Sequence, residues 1–222
     1  MLGITGHSHL VNKILSIALL PLLGASYASA ATLEIVCDND YALFAGTNTT
    51  ITRLAWDSQY EWPVQVEMAQ ALNLNLQSGE THFYLLGMGG GGNEDIGGTI
   101  NGVNITTLNV LKSVNISPYL LNYDVNQVAA GTYSPALVDV QSALAAYSSE
   151  AFWSSAAGDI IYSGVAPNFF GSAFNIPSDS AVLFKISGAD INMAAVPEPS
   201  TYGIGLGVLA LAAVALRRRM KA

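Results

Sequence analysis

One histidine, His82, lies beyond the first ten residues of this 222-residue chain, so histidine-based catalysis would have to pass through it. A Ser-His-Asp triad also needs a nucleophile elbow of the Gly-x-Ser-x-Gly type, and no segment has that form. His82 stands near the start of the apolar run Thr81-His82-Phe83-Tyr84-Leu85-Leu86 and is expected at a strand surface or core edge. Cys37 is the lone cysteine, which leaves no zinc-ligand cluster and no intramolecular disulfide. At the end of Thr32-Leu33-Glu34-Ile35-Val36-Cys37 it reads as a small, buried strand residue. No catalytic residue is expected.

Carboxylates are plentiful. Glycoside hydrolysis needs two of them at a set separation rather than a linear motif, and 15 acids between residues 31 and 196 leave a secreted glycan hydrolase as an alternative. Asp38, Asn39 and Asp40 put three oxygen donors in succession, which suits calcium; the same residues favour turns through local hydrogen bonds. Apart from calcium there, no cofactor is expected. Trp56, Tyr60 and Trp62 flank Asp57 and Glu61. Core packing explains them as pillars of a sheet fold, and carbohydrate binding explains them as rings that stack on sugars while acids take hydroxyls. Trp153 poses the same choice. The glycine-rich stretch 87–98 lacks the Lys-Ser/Thr of a phosphate-binding loop and occurs once rather than as a calcium-binding repeat, so a flexible loop is expected.

The elements that would position these groups are mostly strands. Leu72-Asn73-Leu74-Asn75-Leu76 alternates as a strand with one buried face does. Asn101-Gly102 between short apolar runs signals a tight hairpin. Further strands are expected at 41–45, 50–55, 62–68, 107–112, 181–187 and 190–193. Ser134-Pro135 followed by Leu137, Val140, Leu144 and Tyr147 predicts a helix over 135–147, packed against or beside the sheets. Residues 148–180 read as loop with short strands. Short strands at this spacing predict a mainly β fold, a β-sandwich of the jelly-roll type, over 31–193.

The two ends differ in kind. Residues 1–30 carry Lys13, an apolar run from Ile14 to Leu23 and Ala28-Ser29-Ala30, the layout of a secretory signal peptide. Residues 194–222 hold Pro197-Glu198-Pro199, an uncharged stretch 201–216, and Arg217, Arg218, Arg219 and Lys221. The prolines keep the motif extended, as protease-like enzymes take their substrates. A helix over 201–216 would be about 24 Å long at 1.5 Å per residue, short for a hydrocarbon core of about 30 Å. The four cations would hold the tail on the cytoplasmic side of such a transmembrane helix.

That order of motif, helix and basic tail resembles the PEP-CTERM sorting domain of exported proteins in Gram-negative, often exopolysaccharide-producing bacteria. The resemblance implies that Pro197, Glu198 and Pro199 are recognised by a membrane-embedded exosortase, and that the nucleophile belongs to that enzyme. The translocon and signal peptidase would be the other export partners. Residues 31–115 bear a looser resemblance to galactose-binding-type jelly-roll modules, through Asp38-Asn39-Asp40-Tyr41-Ala42-Leu43-Phe44 and Ser78-Gly79 before Thr81.

Removing the ends changes the charge. Residues 31–196 keep Arg53, Lys112 and Lys185 against 15 acids, a net charge of −12, where the whole chain has −8. Such a surface repels nucleic acid and anionic lipid. The expected protein is held transiently at the inner membrane on its periplasmic side, then passed to the cell surface or extracellular space. There a non-catalytic polysaccharide-binding or matrix-structuring role is expected, with a ligand-free structural role as a further alternative.

Overall fold

The computed structural model describes residues 30–67, 71–92, 94–156, 159–178 and 180–191. The expected leader up to Ser29, the sorting residues Pro197, Glu198 and Pro199, the stretch 201–216 and the basic residues Arg217, Arg218, Arg219 and Lys221 lie outside the described residues. Among those described, no helix is long and apolar enough to cross a membrane.

The strands, in chain order, are β1 (Ala31–Cys37), β2 (Asp40–Gly46), β3 (Ile51–Asp57), β4 (Leu72–Leu74), β5 (His82–Met88) and β6 (Glu94–Ile100). They continue as β7 (Val103–Asn104), β8 (Lys112–Ile116), β9 (Ser154–Ser155), β10 (Ile160–Ile161), β11 (Ala173–Ile176) and β12 (Ala181–Ser187). Among the described residues four α-helices accompany them: α1 (Trp62–Glu67), α2 (Val125–Ala129), α3 (Leu137–Ala146) and α4 (Val165–Phe170). One sheet has the order β10-β11-β6-β1-β4, with β7 also beside β6; the other runs β3-β2-β5-β12-β8-β9. Every described pairing is antiparallel.

Alternation along each strand explains how the layers stack. Leu33 and Ile35 of β1, Ile96 of β6 and Phe174 of β11 meet Leu43 of β2, Leu85 of β5 and Phe184 of β12 in the core between the sheets. The opposite face of the second sheet is not solvated. Phe44, Tyr84, Leu86 and Leu183 pack there against Leu121, Val128, Val140, Leu144 and Trp153, a third, largely helical layer. A strand buried on both faces has no polar phase, which is why all seven residues of β2 are buried. Each large apolar side chain so buried contributes about 1.5–3 kcal/mol. The mainly β, sandwich-like expectation therefore stands, with α3 lying on the outer face of one sheet.

Several local expectations are corrected. The strand expected at 62–68 is a helix over Trp62–Glu67, with Val64 and Gln65 donating to the Glu61 carbonyl at 3.1 and 3.2 Å. Pro63 is at home in a first helical turn, and the Val64-Gln65-Val66-Glu67 alternation that mimics a strand is too short to outweigh Gln65 turning inward. Residues 107–112 are not a strand either. Asn104 accepts from the Thr106 N–H and caps a 3-10 turn over Ile105–Thr107, so extended structure resumes only at Lys112. Of the strand expected at 190–193, residues 190 and 191 belong instead to a 3-10 turn at Gly188–Ile191, and 192 and 193 lie outside the described residues. The glycine-rich stretch is mostly strand: Gly87 and Met88 close β5, and Glu94–Gly98 open β6. The Asn101-Gly102 hairpin stands, with φ of 53° and 76°.

Candidate functional site

Trp56 is the penultimate residue of the edge strand β3, Tyr60 sits in the loop that follows, and Trp62 opens α1. They are 37%, 43% and 38% exposed, so they are surface aromatics and not the core pillars that packing would make of them. Trp153 is the pillar: it is buried, donates through Nε1 to the Tyr147 carbonyl at 2.9 Å and lies 4.3 Å beneath Lys185 Nζ.

Buried polar groups fix the loop that carries Tyr60. Gln65 accepts from the Cys37 N–H at 2.9 Å and donates to the carbonyls of Asn39 and Tyr60, both at 2.7 Å. Ser58 donates through its amide to the Tyr41 carbonyl at 3.1 Å and through Oγ to Asp40 at 2.5 Å. Behind it, Gly131 at φ +61° lies so close that a Cβ there would come within 2.0 Å of the Glu61 nitrogen. The segment after α2 thus meets the aromatic loop backbone to backbone.

Asp38, Asn39 and Asp40 are engaged with the protein. Asn39 donates to Asp38 at 2.7 Å and accepts from the Gly90 N–H at 3.0 Å, while Asp40 Oδ1 accepts from the Tyr41 N–H at 2.8 Å. Burial, reinforced by Asp95, lifts the Asp38 carboxyl to about 6. Burial outweighs its two hydrogen bonds and lifts Asp40 to about 7. Among the described residues no group of three or more His, Cys, Asp or Glu is placed to hold a metal ion. Asp95 has a separate task, accepting from the Val165 and Ala166 N–H groups at 3.0 and 2.8 Å and so capping α4 from a neighbouring strand.

His82 lines a cleft of about 510 Å³ with Lys112, Glu150, Lys185 and Asp190. Burial, then Lys185, hold its imidazole below the usual range. Glu150 is bound by Lys112 and Lys185, each at 2.8 Å, and these hydrogen bonds pull its carboxyl down to about 2. A carboxylate so held is a poor proton donor for glycoside cleavage. Arg53 pairs with Glu80 at 2.9 Å, so each of the three cations in residues 31–196 is committed to an acid.

A second groove escaped the sequence reading. It has a volume of about 1020 Å³ and is lined by Tyr119, Asn122, Tyr123, Asp124, Gln127 and Tyr133. The signal was present as tyrosines interleaved with amides between 119 and 133, but that spacing matches no helical or strand face.

Residues 195–219 match the family model of the PEP-CTERM protein-sorting motif. The chain carries that sorting signal. It implies an exported protein sorted at the membrane and processed by an exosortase-type enzyme. The match takes in Pro197, Glu198 and Pro199 and the arginines Arg217, Arg218 and Arg219; Lys221 lies just beyond it. No curated protein and no solved structure matches the chain, and the resemblance of residues 31–115 to galactose-binding-type jelly-roll modules is without support.

Proposed function

We propose that this PEP-CTERM protein is a non-catalytic, polysaccharide-binding component of the cell surface or extracellular matrix. Residues 1–30 would direct it to the translocon and signal peptidase, and 201–216 would hold it at the inner membrane until an exosortase acts at Pro197-Glu198-Pro199. Residues 31–193 would form the working domain. The observation that carries the binding reading is the exposure of Trp56, Tyr60 and Trp62, on and at either end of a loop pinned by Gln65. Apolar rings left in water on an ordered loop gain by stacking on a sugar face, whereas a purely structural surface gains nothing from them.

Tryptophan fluorescence of the protein recovered from cells, titrated with a panel of polysaccharides, tests this. A saturable shift that weakens in Trp56→Ala and Trp62→Ala is expected. An unchanged spectrum across the panel would favour a ligand-free structural role, and release of reducing sugar would favour a hydrolase. For sorting, Glu198→Ala should leave the full-length form in the inner membrane; normal release of that variant would remove the motif's assigned role.

A further inference from the structure

We propose that the groove between the Pro118–Leu121 turn, α2 and Tyr133 binds a neutral glycan chain, with Tyr119 as the stacking platform and Asn122 and Gln127 as partners for hydroxyls. This rests on the polysaccharide-binding reading and narrows it in place and in ligand charge.

Tyr119 is 95% exposed on a 3-10 turn whose neighbour Leu121 is fully buried, so an apolar ring stands in water on an anchored backbone. Tyr123 and Tyr133 form the wall behind it, their rings 5.7 Å apart and tilted by 47°. Their hydroxyls are spent on backbone: Tyr123 donates to the Gly89 carbonyl and Tyr133 to that of Leu121. The wall therefore presents ring surface in a fixed orientation. Asp124 is occupied in part, since its Oδ1 accepts from the Asn126 and Gln127 N–H groups at 3.0 and 3.4 Å at the start of α2. Asn122 and Gln127, both exposed, make no side-chain hydrogen bond to the described residues. Each offers a planar amide that both donates and accepts, as a sugar hydroxyl requires. At about 1020 Å³ the groove is at the upper end of ordinary small-molecule sites.

Charge selects the class of glycan. Among the described residues lining the groove, Asp124 is the one carboxylate and there is no cation, while Arg53, Lys112 and Lys185 are all paired with acids elsewhere. An anionic polymer would meet no free cation there and would approach a segment with a net charge of −12, three cations against 15 acids. A neutral polymer meets neither obstacle. The groove also adjoins the Trp56 loop, because Gly131 touches Tyr60 and Glu61 just before Tyr133.

Native gel electrophoresis of the protein recovered from cells provides the test, in gels cast with dextran, hydroxyethylcellulose, starch or galactomannan, and in parallel with polygalacturonate. At least one neutral polymer should retard the protein, and polygalacturonate should not. Tyr119→Ala and Asn122→Gly, the latter keeping the left-handed backbone at φ 51°, should each weaken retardation roughly five- to tenfold. Both positions are exposed, and circular dichroism should match the wild type. Retardation by polygalacturonate alone overturns the neutral-ligand inference. Loss of binding in Trp56→Ala but not in Tyr119→Ala overturns the groove while leaving polysaccharide binding in place. No retardation in any gel removes both readings. A dimer that dissolves in Tyr119→Ala would make the groove a self-contact and overturn the inference.

Discussion

Replacing Asp40 with asparagine should stabilise this protein at pH 8, although Asp40 lies wholly inside it. Its Oδ1 accepts from the Tyr41 N–H at 2.8 Å and from Ser58 Oγ at 2.5 Å, but its buried Oδ2 has no hydrogen-bond partner among the described residues. Asp57 stands opposite Ala42 in the β2–β3 ladder, which puts it diagonally across from Asp40 on the same sheet face, and Asp57 Oδ1 is likewise buried with no hydrogen-bond partner among the described residues. Burial therefore raises the folded Asp40 carboxyl from 3.8 to about 7, with the Asp57 charge adding to it. The folded state holds the proton more tightly than the unfolded chain. The stabilising contribution of the protonated form is complete below about 4 and is lost as pH rises through about 7. At about 1.4 kcal/mol per pH unit this amounts to at most about 4 kcal/mol between pH 4 and pH 8.

In Asp40→Asn the new amide would keep an oxygen for Tyr41 and Ser58 and would put a neutral group where the Oδ2 charge now lies, removing its repulsion by Asp57. Urea unfolding followed by tryptophan fluorescence at pH 4.5, 6 and 8 should show Asp40→Asn about 2–4 kcal/mol more stable than wild type at pH 8. The gap should close towards pH 4.5. Asp38 and Asp95, also raised chiefly by burial, act in the same direction as Asp40. Glu80 and Glu150, held low, and His82, whose imidazole is depressed, act in the opposite one. All five are present in both proteins, so the difference between the two curves isolates Asp40. Equal stability at pH 8, or a gap that is independent of pH, would refute the reasoning.

Two further substitutions test how the aromatic loop is held. Gly131→Ala forces a side chain into a left-handed backbone and sets its Cβ 2.0 Å from the Glu61 nitrogen, and should cost about 2 kcal/mol or more in chemical denaturation. An unchanged midpoint would show that the 129–131 segment can retreat from the loop. Gln65→Ala strands the buried Cys37 N–H and releases the Asn39 and Tyr60 carbonyls, and should cost about 2–3 kcal/mol. Amide hydrogen exchange at Cys37 should accelerate; protection equal to wild type would mean that another acceptor takes over.

Local chemistry made much of the fold legible. Asn101-Gly102 names its own turn because both residues accept positive φ, and the Val140 and Leu144 positions of α3 follow from helical spacing alone. Where two local patterns compete, packing arbitrates. Trp62–Glu67 alternates like a strand, yet its buried member is Gln65, which reaches the polar backbone of Cys37, Asn39 and Tyr60, a target that exists only once β1 and β2 have been brought together. Continuous apolar runs such as residues 41–46 show that a strand has no solvated face, but not what covers it; the cover comes from a turn, α2, α3 and Trp153, most of it more than 70 residues later in the chain.

The sorting signal needs no fold to be read. Its motif and basic end are linear chemistry presented in order, and residues 195–219 suffice for it, as the charge of −12 over residues 31–196 needs only counting. Exposure and pairing are different in kind, because they depend on which distant segments exclude water from one another. Trp56 and Trp62 at the surface, Trp153 beneath a lysine, three cations all neutralised by acids and a groove of tyrosines and amides are properties of packed elements. The same residue types in the same order, packed otherwise, would have made Trp56 a pillar and Asp40 an ordinary turn carboxylate.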